Sequence, residues 1–273
     1  MESQLPRQKK QPVIALLSDF GLADNFVGVM KGVIAHHCPQ ANVIDITHAV
    51  PPHSILHPAL ALMGAYKYFP RGTIFLTVVD PGVGSGRRII AVAGGGMTFV
   101  APDNGVLYPL LSKLRKPSLW EITWRPTGGN ISATFHGRDI FAPVAAMLAR
   151  GVRLDDIARR IRSIEQFEIP GAETAGKKTI RGEVIYIDNF GNVMTSISRG
   201  FLAENFPACE PDKLVAELGK TKIREIRSAY ADARPGSPVL VFNSYDMLEI
   251  AINRGNAAKT LSAKIGAKLK IRI

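Results

Sequence analysis

"VIALLSDFGLADNFVGVMKGVIAHHCP", residues 13–39, holds two different periodicities. Val13–Leu17 is an unbroken apolar run, which suits a strand buried on both faces rather than one that alternates. Polar residues then interrupt. From Phe26 the apolar residues recur at helical spacing: Phe26, Val29, Met30, Val33, Ile34, with His37 closing the series. Asn25 or Asp24 can cap the start of that helix, and Pro39 ends it. A doubly buried strand feeding directly into a helix is the unit from which α/β sheets are made.

The same alternation continues outward. "NVIDITH" reads as a second strand, "HSILHPALALMGAYKYF" as a second helix and "GTIFLTVVD" as a third, buried strand. "RRIIAVAGGGMTFVAP" suits two further strands joined at the glycines. "GVLYPLLSKLRK" and "GRDIFAPVAAMLARG" read as helices, the latter starting after "FHGRD" with Pro143 in or near its first turn. The expectation is an α/β domain over 13–172, with a mainly parallel sheet flanked by helices. Near "PGAETAGKK", residues 170–178, long helical patterns give way to short strand patterns punctuated by turn residues. A smaller all-β, barrel-like domain over 173–273 is therefore expected. Residues 1–12 read as a disordered basic tail.

Composition excludes several classes. The 273 residues include 46% hydrophobic and 21% charged, which suits a globular chain with a substantial core. No apolar stretch reaches the roughly 20 residues of a membrane span, and the N-terminus lacks the apolar core of a secretory signal. The two cysteines, Cys38 and Cys209, are far apart and form no metal or disulfide pattern, so reduced thiols in a cytoplasm are expected. "HHCP" lacks metal-ligand spacing, and no metal is expected. The net charge of +11 could attract an anionic partner. Its lysines and arginines are scattered and aromatics do not interleave with them, so a solvated basic surface fits better than a nucleic-acid interface.

Candidate chemistry gathers at strand ends. Asp19 closes the first strand, where ligands of open α/β sheets bind, and a carboxylate there can accept both hydroxyls of a ribose. "TVVDPGVGSGRR", residues 77–88, places Asp80 at the end of the third strand and returns an arginine after a glycine-rich turn. The glycines fit neither phosphate-binding pattern, since a strand and not a helix comes next. On the pattern alone, an ordinary structural ion pair also accounts for the aspartate and arginine. "TFHGRDIFAP" offers His136 as an acid, base or water-orienting group, with Arg138 and Asp139 as pairing groups. "IDNFGNVMTSI" contributes Asp188 and Asn192 in a turn, and "FNSYDMLEIAINRGNAA" contributes Ser244, Tyr245, Glu249, Asn256 and Ala257. Both stretches also read simply as turns and a strand with its loop.

Six motifs in order, "LLSDFG", "VVDPGVGSGRR", "APDNGVL", "FHGRDIFAP", "YIDNFGNVMTSI" and "NSYDMLEIAINRGNAA", resemble those of the adenosine-forming S-adenosylmethionine hydrolases. These are also called SAM hydroxide adenosyltransferases and are relatives of fluorinase and chlorinase. The resemblance runs from about Val13 to the C-terminus. It implies hydrolysis of S-adenosylmethionine to adenosine and methionine without a cofactor. It further implies a homotrimer, with substrate held between the N-terminal domain of one subunit and the C-terminal domain of the next. The family's water-handling triad falls on Asp80, Arg87 and His136. Asp19 matches the ribose carboxylate, Asp188 the group near the methionine ammonium, Asn192 an adenine or substrate contact and Ser244 a carboxylate contact. Asn256 and Ala257 match the loop facing adenine, and Tyr245 and Glu249 lie in the same motif. The halogenating relatives differ at the positions of Asp80 and His136, so this pattern favours water over halide as nucleophile. Two departures stand out. Asp246 replaces a usual glycine; if the position needs a positive φ, aspartate tolerates it better than most residues. His53 replaces a usual aromatic near the reacting carbon.

Overall fold

β1 (Val13–Ser18) alternates between two cores, as period-2 side chains must. Ile14 and Leu16 face one cluster with Val27, Met30, Ile34, Val144 and Ala145. Ala15 and Leu17 face the other with Ala59, Leu62, Phe75 and Leu110. Both faces are covered, which is why the run carries no polar residue until its end. The computed structural model describes residues 11–128, 130–207, 214–224 and 226–273. Residues 1–10 of the expected tail and Cys209 lie outside them; Cys38 is a buried free thiol. Two units are resolved, Met1–Glu168 and Ile169–Ile273.

In the first unit β1 joins β2 (Asn42–Thr47), β3 (Ile74–Val78), β4 (Ile89–Gly94), β5 (Met97–Pro102), β6 (Ser118–Ile122) and β7 (Ala158–Arg160). The sheet order is β2-β1-β3-β5-β4-β6-β7. β2, β1, β3 and β5 pair in parallel, whereas β4, β6 and β7 extend the sheet antiparallel. The sheet is thus mixed, its parallel half being the half that the βαβ alternation announces. Helices α1 (Phe26–His37) and α4 (Ala142–Ala149) cover one face; α2 (Leu56–Ala65) and the single-turn α3 (Tyr108–Leu111) cover the other.

Three local expectations are corrected. Neither Asp24 nor Asn25 caps α1 with its side chain. The helix expected over "GVLYPLLSKLRK" shortens to Tyr108–Leu111. The helix expected to start after "FHGRD" begins earlier, as a π-helical turn over Gly137–Phe141 that continues into α4. Pro143 has no N–H to give to the carbonyl one α-turn before it, and the wider turn sits just ahead of it.

In the second unit β8 (Glu173–Thr174), β9 (Thr179–Ile187), β10 (Val193–Ser198), β11 (Val215–Leu218), β12 (Thr221–Arg224), β13 (Pro238–Phe242), β14 (Met247–Ile252) and β15 (Lys268–Arg272) form one antiparallel sheet. Its order is β12-β11-β15-β9-β10-β14-β13, with β8 on β9. The chain just past β12 meets β13 through the Ile226–Leu240 bridge and the Arg227 N–H bond to the Leu240 carbonyl, 2.8 Å. The sheet therefore nearly closes into a barrel, which shields its edges. Ile180, Val184, Val193, Ile197, Leu240, Ile250, Leu269 and Ile271 fill it. One helix of two turns, Arg199–Asn205, interrupts the all-β pattern; Ser198 Oγ caps it by accepting from Phe201 N–H.

Candidate active site

β1 and β3 are parallel neighbours, and Ser18 pairs with Val78. Asp19 therefore leaves β1 at the same edge where Asp80 leaves β3, two residues beyond its last paired residue. This is the carboxyl edge, where the strands stop and the loops open a crevice.

Asp80 is 6% exposed at its side chain and Arg87 11%. Arg87 Nε donates to Asp80 Oδ1 at 2.7 Å, and Arg87 Nη2 donates to Asp80 Oδ2. This two-point contact uses the planar guanidinium as only arginine can. The same Nη2 lies 3.1 Å from His136 Nδ1. A guanidinium has no acceptor, so Nδ1 accepts and the imidazole is neutral with its proton on Nε2. Burial, reinforced by the Arg87 charge, holds His136 below the usual histidine range, which keeps it neutral. Arg87 also lies over the Phe141 ring, 5.3 Å from its centroid. The three residues of the expected triad are thus joined through one arginine.

Residues without an assigned role in the sequence hold this group in place. Asn104, from "APDNG", donates to the Val79 carbonyl at 2.8 Å and so fixes the backbone entering Asp80. Arg88 turns away from Asp80 and donates to Asp103 at 2.8 Å; Asp103 also accepts from Glu165 N–H at 2.7 Å. Gly84 carries the 80–87 loop against the segment leading to His136: a Cβ there would lie 2.4 Å from the Ala133 carbonyl oxygen, and φ is +77°. Gly84→Ala should therefore cost about 1–3 kcal/mol of stability and lower turnover more than it lowers adenosine affinity; thermal melts and kcat measured side by side test it.

Arg138 and Asp139 behave as pairing groups. Arg138 donates to both Asp139 oxygens at 2.6 and 3.0 Å, and Asp139 accepts from Ser132 N–H at 2.8 Å. The Arg138 hydrogen bonds, aided by Ser132, hold Asp139 below the usual carboxylate range. Phe20, Phe26 and Phe135 pack ring to ring beside them, with centroids 5.1–5.9 Å apart. Asp19 Oδ2 accepts from the His53 N–H at 3.0 Å, and His53 has a left-handed φ of +65°.

The remaining candidates lie in the second unit. Asp188 closes its own turn: Oδ1 accepts from Phe190 and Asn192 N–H at 2.9 and 2.7 Å, and Oδ2 from Asn192 Nδ2 at 2.9 Å. Asn256 caps the short helix that begins at the buried Ala257, accepting from Lys259 N–H at 2.8 Å. The two turns touch: Ala258 N–H donates to the Gly191 carbonyl at 2.9 Å, and Gly191 has no room for a side chain beside Asn256. Asp188, Asn192, Asn256 and Ala257 therefore form one cluster beside the Ile252 end of β14.

Ser244 and Tyr245 belong to the exposed β13–β14 hairpin turn at the Met247 end, about 20 Å away along the strand. Asp246 in that turn has φ +57°, the left-handed conformation in which aspartate stands in for glycine. Glu249 is 5% exposed, and both its oxygens are taken: Tyr230 Oη donates to one at 2.7 Å and Asn243 Nδ2 to the other at 2.9 Å. Burial and the Glu249 carboxylate raise the Tyr230 hydroxyl far above its ordinary range, so it stays protonated. Glu249 is thus a buried anchor of the hairpin. Among the described residues no group of three His, Cys, Asp or Glu side chains is placed to hold a metal ion, and no helix is long and apolar enough to cross a membrane.

Comparison with known proteins agrees with this architecture. The chain is 37% identical over 270 residues to an (R)-S-adenosyl-L-methionine hydrolase of Thermus thermophilus, covering 94% of this chain and 98% of that one. It is 38% identical over 267 residues to the enzyme of the same name from Salinispora tropica, covering 95% and 97%. A solved structure of an uncharacterized conserved protein from Thermotoga maritima superposes with a TM-score of 0.87 at 37% identity, covering 95% of this chain and all of that one. Residues 14–158 match the SAM hydroxide adenosyltransferase N-terminal domain and residues 182–270 its C-terminal domain. The chain belongs to the SAM hydroxide adenosyltransferase family.

Proposed function

We propose that this protein is an S-adenosyl-L-methionine hydrolase that releases adenosine and L-methionine. The observation carrying the mechanism is the buried Asp80 carboxylate gripped by Arg87, with His136 on the same guanidinium. Water attacks ribose C5′ in line with the C5′–S bond. That bond breaks with its electron pair going to sulfur, and methionine departs as a neutral thioether. Such a leaving group needs no proton, so no general acid is required at sulfur.

The protein's task is to align the water and receive its proton. Each Asp80 oxygen accepts one bond from Arg87 and retains a further lone pair, so the carboxylate can accept from the water as attack develops. Arg87 keeps the Asp80 carboxylate oriented. His136, unprotonated at Nδ1, presents Nε2–H as a donor that fixes the water's other side. Alignment of this kind is worth on the order of 7–11 kcal/mol in well-oriented systems.

Asp19 would hold the ribose diol. The turns containing Asp188, Asn192, Asn256 and Ala257 would meet the adenine and the amino-acid end of the substrate; Ser244 and Tyr245, in the β13–β14 hairpin at the far end of β14, are too distant to hold the carboxylate of a methionine whose ammonium lies at Asp188. Glu249 supports that hairpin from within. No cofactor takes part. As the finer part of the proposal, the chain works in the cytoplasm as a homotrimer, each substrate lying between the first unit of one subunit and the second unit of the next.

Turnover of S-adenosylmethionine in isotopically labelled water tests the chemistry. Label should appear in the 5′-hydroxyl of adenosine, with one methionine formed per adenosine. Release of methionine without labelled adenosine would overturn the reading.

A further inference from the structure

Ser18, the last residue of β1, is fully buried. Its hydroxyl lies 2.7 Å from Nδ1 of His48, which is 4% exposed, and it also accepts from Phe20 N–H at 3.3 Å. On the far side of the ring, His48 Nε2 lies 3.2 Å from Asp45 Oδ1, in ion-pair range but outside full hydrogen-bond geometry. Asp45 Oδ2 accepts from Lys31 Nζ of α1 at 2.6 Å. The ring thus links the Ser18 hydroxyl, which can donate or accept, to the Asp45 carboxylate. The four side chains form one chain from the helix surface to the end of β1.

The order Ser, His, Asp is that of a hydrolytic nucleophile array, but Ser18 has no access to solvent, so the array performs no acyl chemistry. Its position suggests another task. Asp19 is the next residue. The His48 carbonyl accepts from Gly21 N–H at 2.8 Å, so His48 grips the chain both immediately before Asp19 and two residues after it. The same segment supplies His53 N–H to Asp19 Oδ2. β2 is irregular at this point: Leu16 pairs with Asp45 but Leu17 with Thr47, so one extra residue, Ile46, re-aims the chain toward Ser18.

We infer that His48 is a positioning residue that sets the Asp19 carboxylate for a ribose diol, acting through the Ser18 hydroxyl; this rests on the assignment of Asp19 above. A site that binds a diol through one carboxylate needs that carboxylate fixed in rotation as well as in place. The His48 contacts fix the turn on both sides of it.

The test is the ratio of affinities for adenosine and 2′,3′-dideoxyadenosine, which differ only in the two hydroxyls. The wild-type protein should favour adenosine by at least about tenfold, as two charge-assisted hydrogen bonds allow. In His48→Ala and in Ser18→Ala, which removes a single oxygen atom, the ratio should fall to about threefold or less. His48→Asn, which returns an acceptor near the Nδ1 position, should restore most of it. A merely structural role would weaken both ligands equally and leave the ratio intact, and that result in a folded His48→Ala or Ser18→Ala variant would overturn the inference alone. A wild-type protein that ignores the two hydroxyls would instead overturn the Asp19 assignment, and the inference with it.

Discussion

Asp80→Asn should lower kcat by about 10²–10⁴-fold while changing adenosine affinity only a few-fold. The substitution keeps the side chain's shape but turns one acceptor oxygen into a donor NH₂, which then faces the Arg87 guanidinium that now donates to both Asp80 oxygens. The two-point contact is lost and the group nearest the water ceases to be a base. Binding would be spared because Asp19, the carboxylate proposed to hold the ribose, leaves a different strand and is held by different contacts. Single-turnover hydrolysis and equilibrium binding of adenosine, measured on the same preparation, separate the two effects. Near-normal hydrolysis by this variant would remove Asp80 from the mechanism.

The second large effect concerns assembly. Asp80 and His136 belong to the first unit, whereas Asn192 and Asn256 belong to the second. Under the trimeric proposal, Asp80→Asn and Asn192→Ala proteins are each nearly inactive alone. Unfolded together, mixed in equal amounts and refolded, they should recover about a quarter of wild-type activity. In a closed ring with head-to-tail sites, one site in four then combines an intact first unit with an intact second unit from the next subunit. A site built within one chain predicts no recovery, because every chain carries one lesion. The measured activity of the refolded mixture distinguishes the two arrangements.

Much of the first unit could be read from the chain because its signals are local. Val13–Leu17 and Ile74–Val79 announce strands buried on both faces, and the ends of those strands announce Asp19 and Asp80. Adjacent residues in an extended segment point to opposite sides. Of Arg87 and Arg88, therefore, only one could return to Asp80, and Arg88 goes to Asp103. The features that escaped depend on distant partners. β6 and β7 acquire their identity by pairing with strands far away in sequence, and "ARR" carries no pattern of its own. Ser18 and His48 are thirty residues apart. The close approach at Gly84 depends on a segment some fifty residues downstream. Glu249 was legible as part of a motif, but its burial against Tyr230 and Asn243 was not, since Tyr230 comes from a separate loop.

The parallel pairing of β1 with β3 has a consequence for how such a catalyst can change. Every side chain from Ile14 to Ser18 and from Ile74 to Val78 is enclosed, so the strands themselves offer no surface on which selectivity could be tuned. Variation is confined to the loops at their carboxyl ends. Under the roles proposed for Asp80 and Asp19, lengthening or recomposing the 79–88 loop would alter the nucleophile's berth while the neighbouring carboxylate keeps its station. On that proposal, recognition of the sugar and activation of the attacking molecule would be separable inheritances, mounted on adjoining struts of one rigid frame.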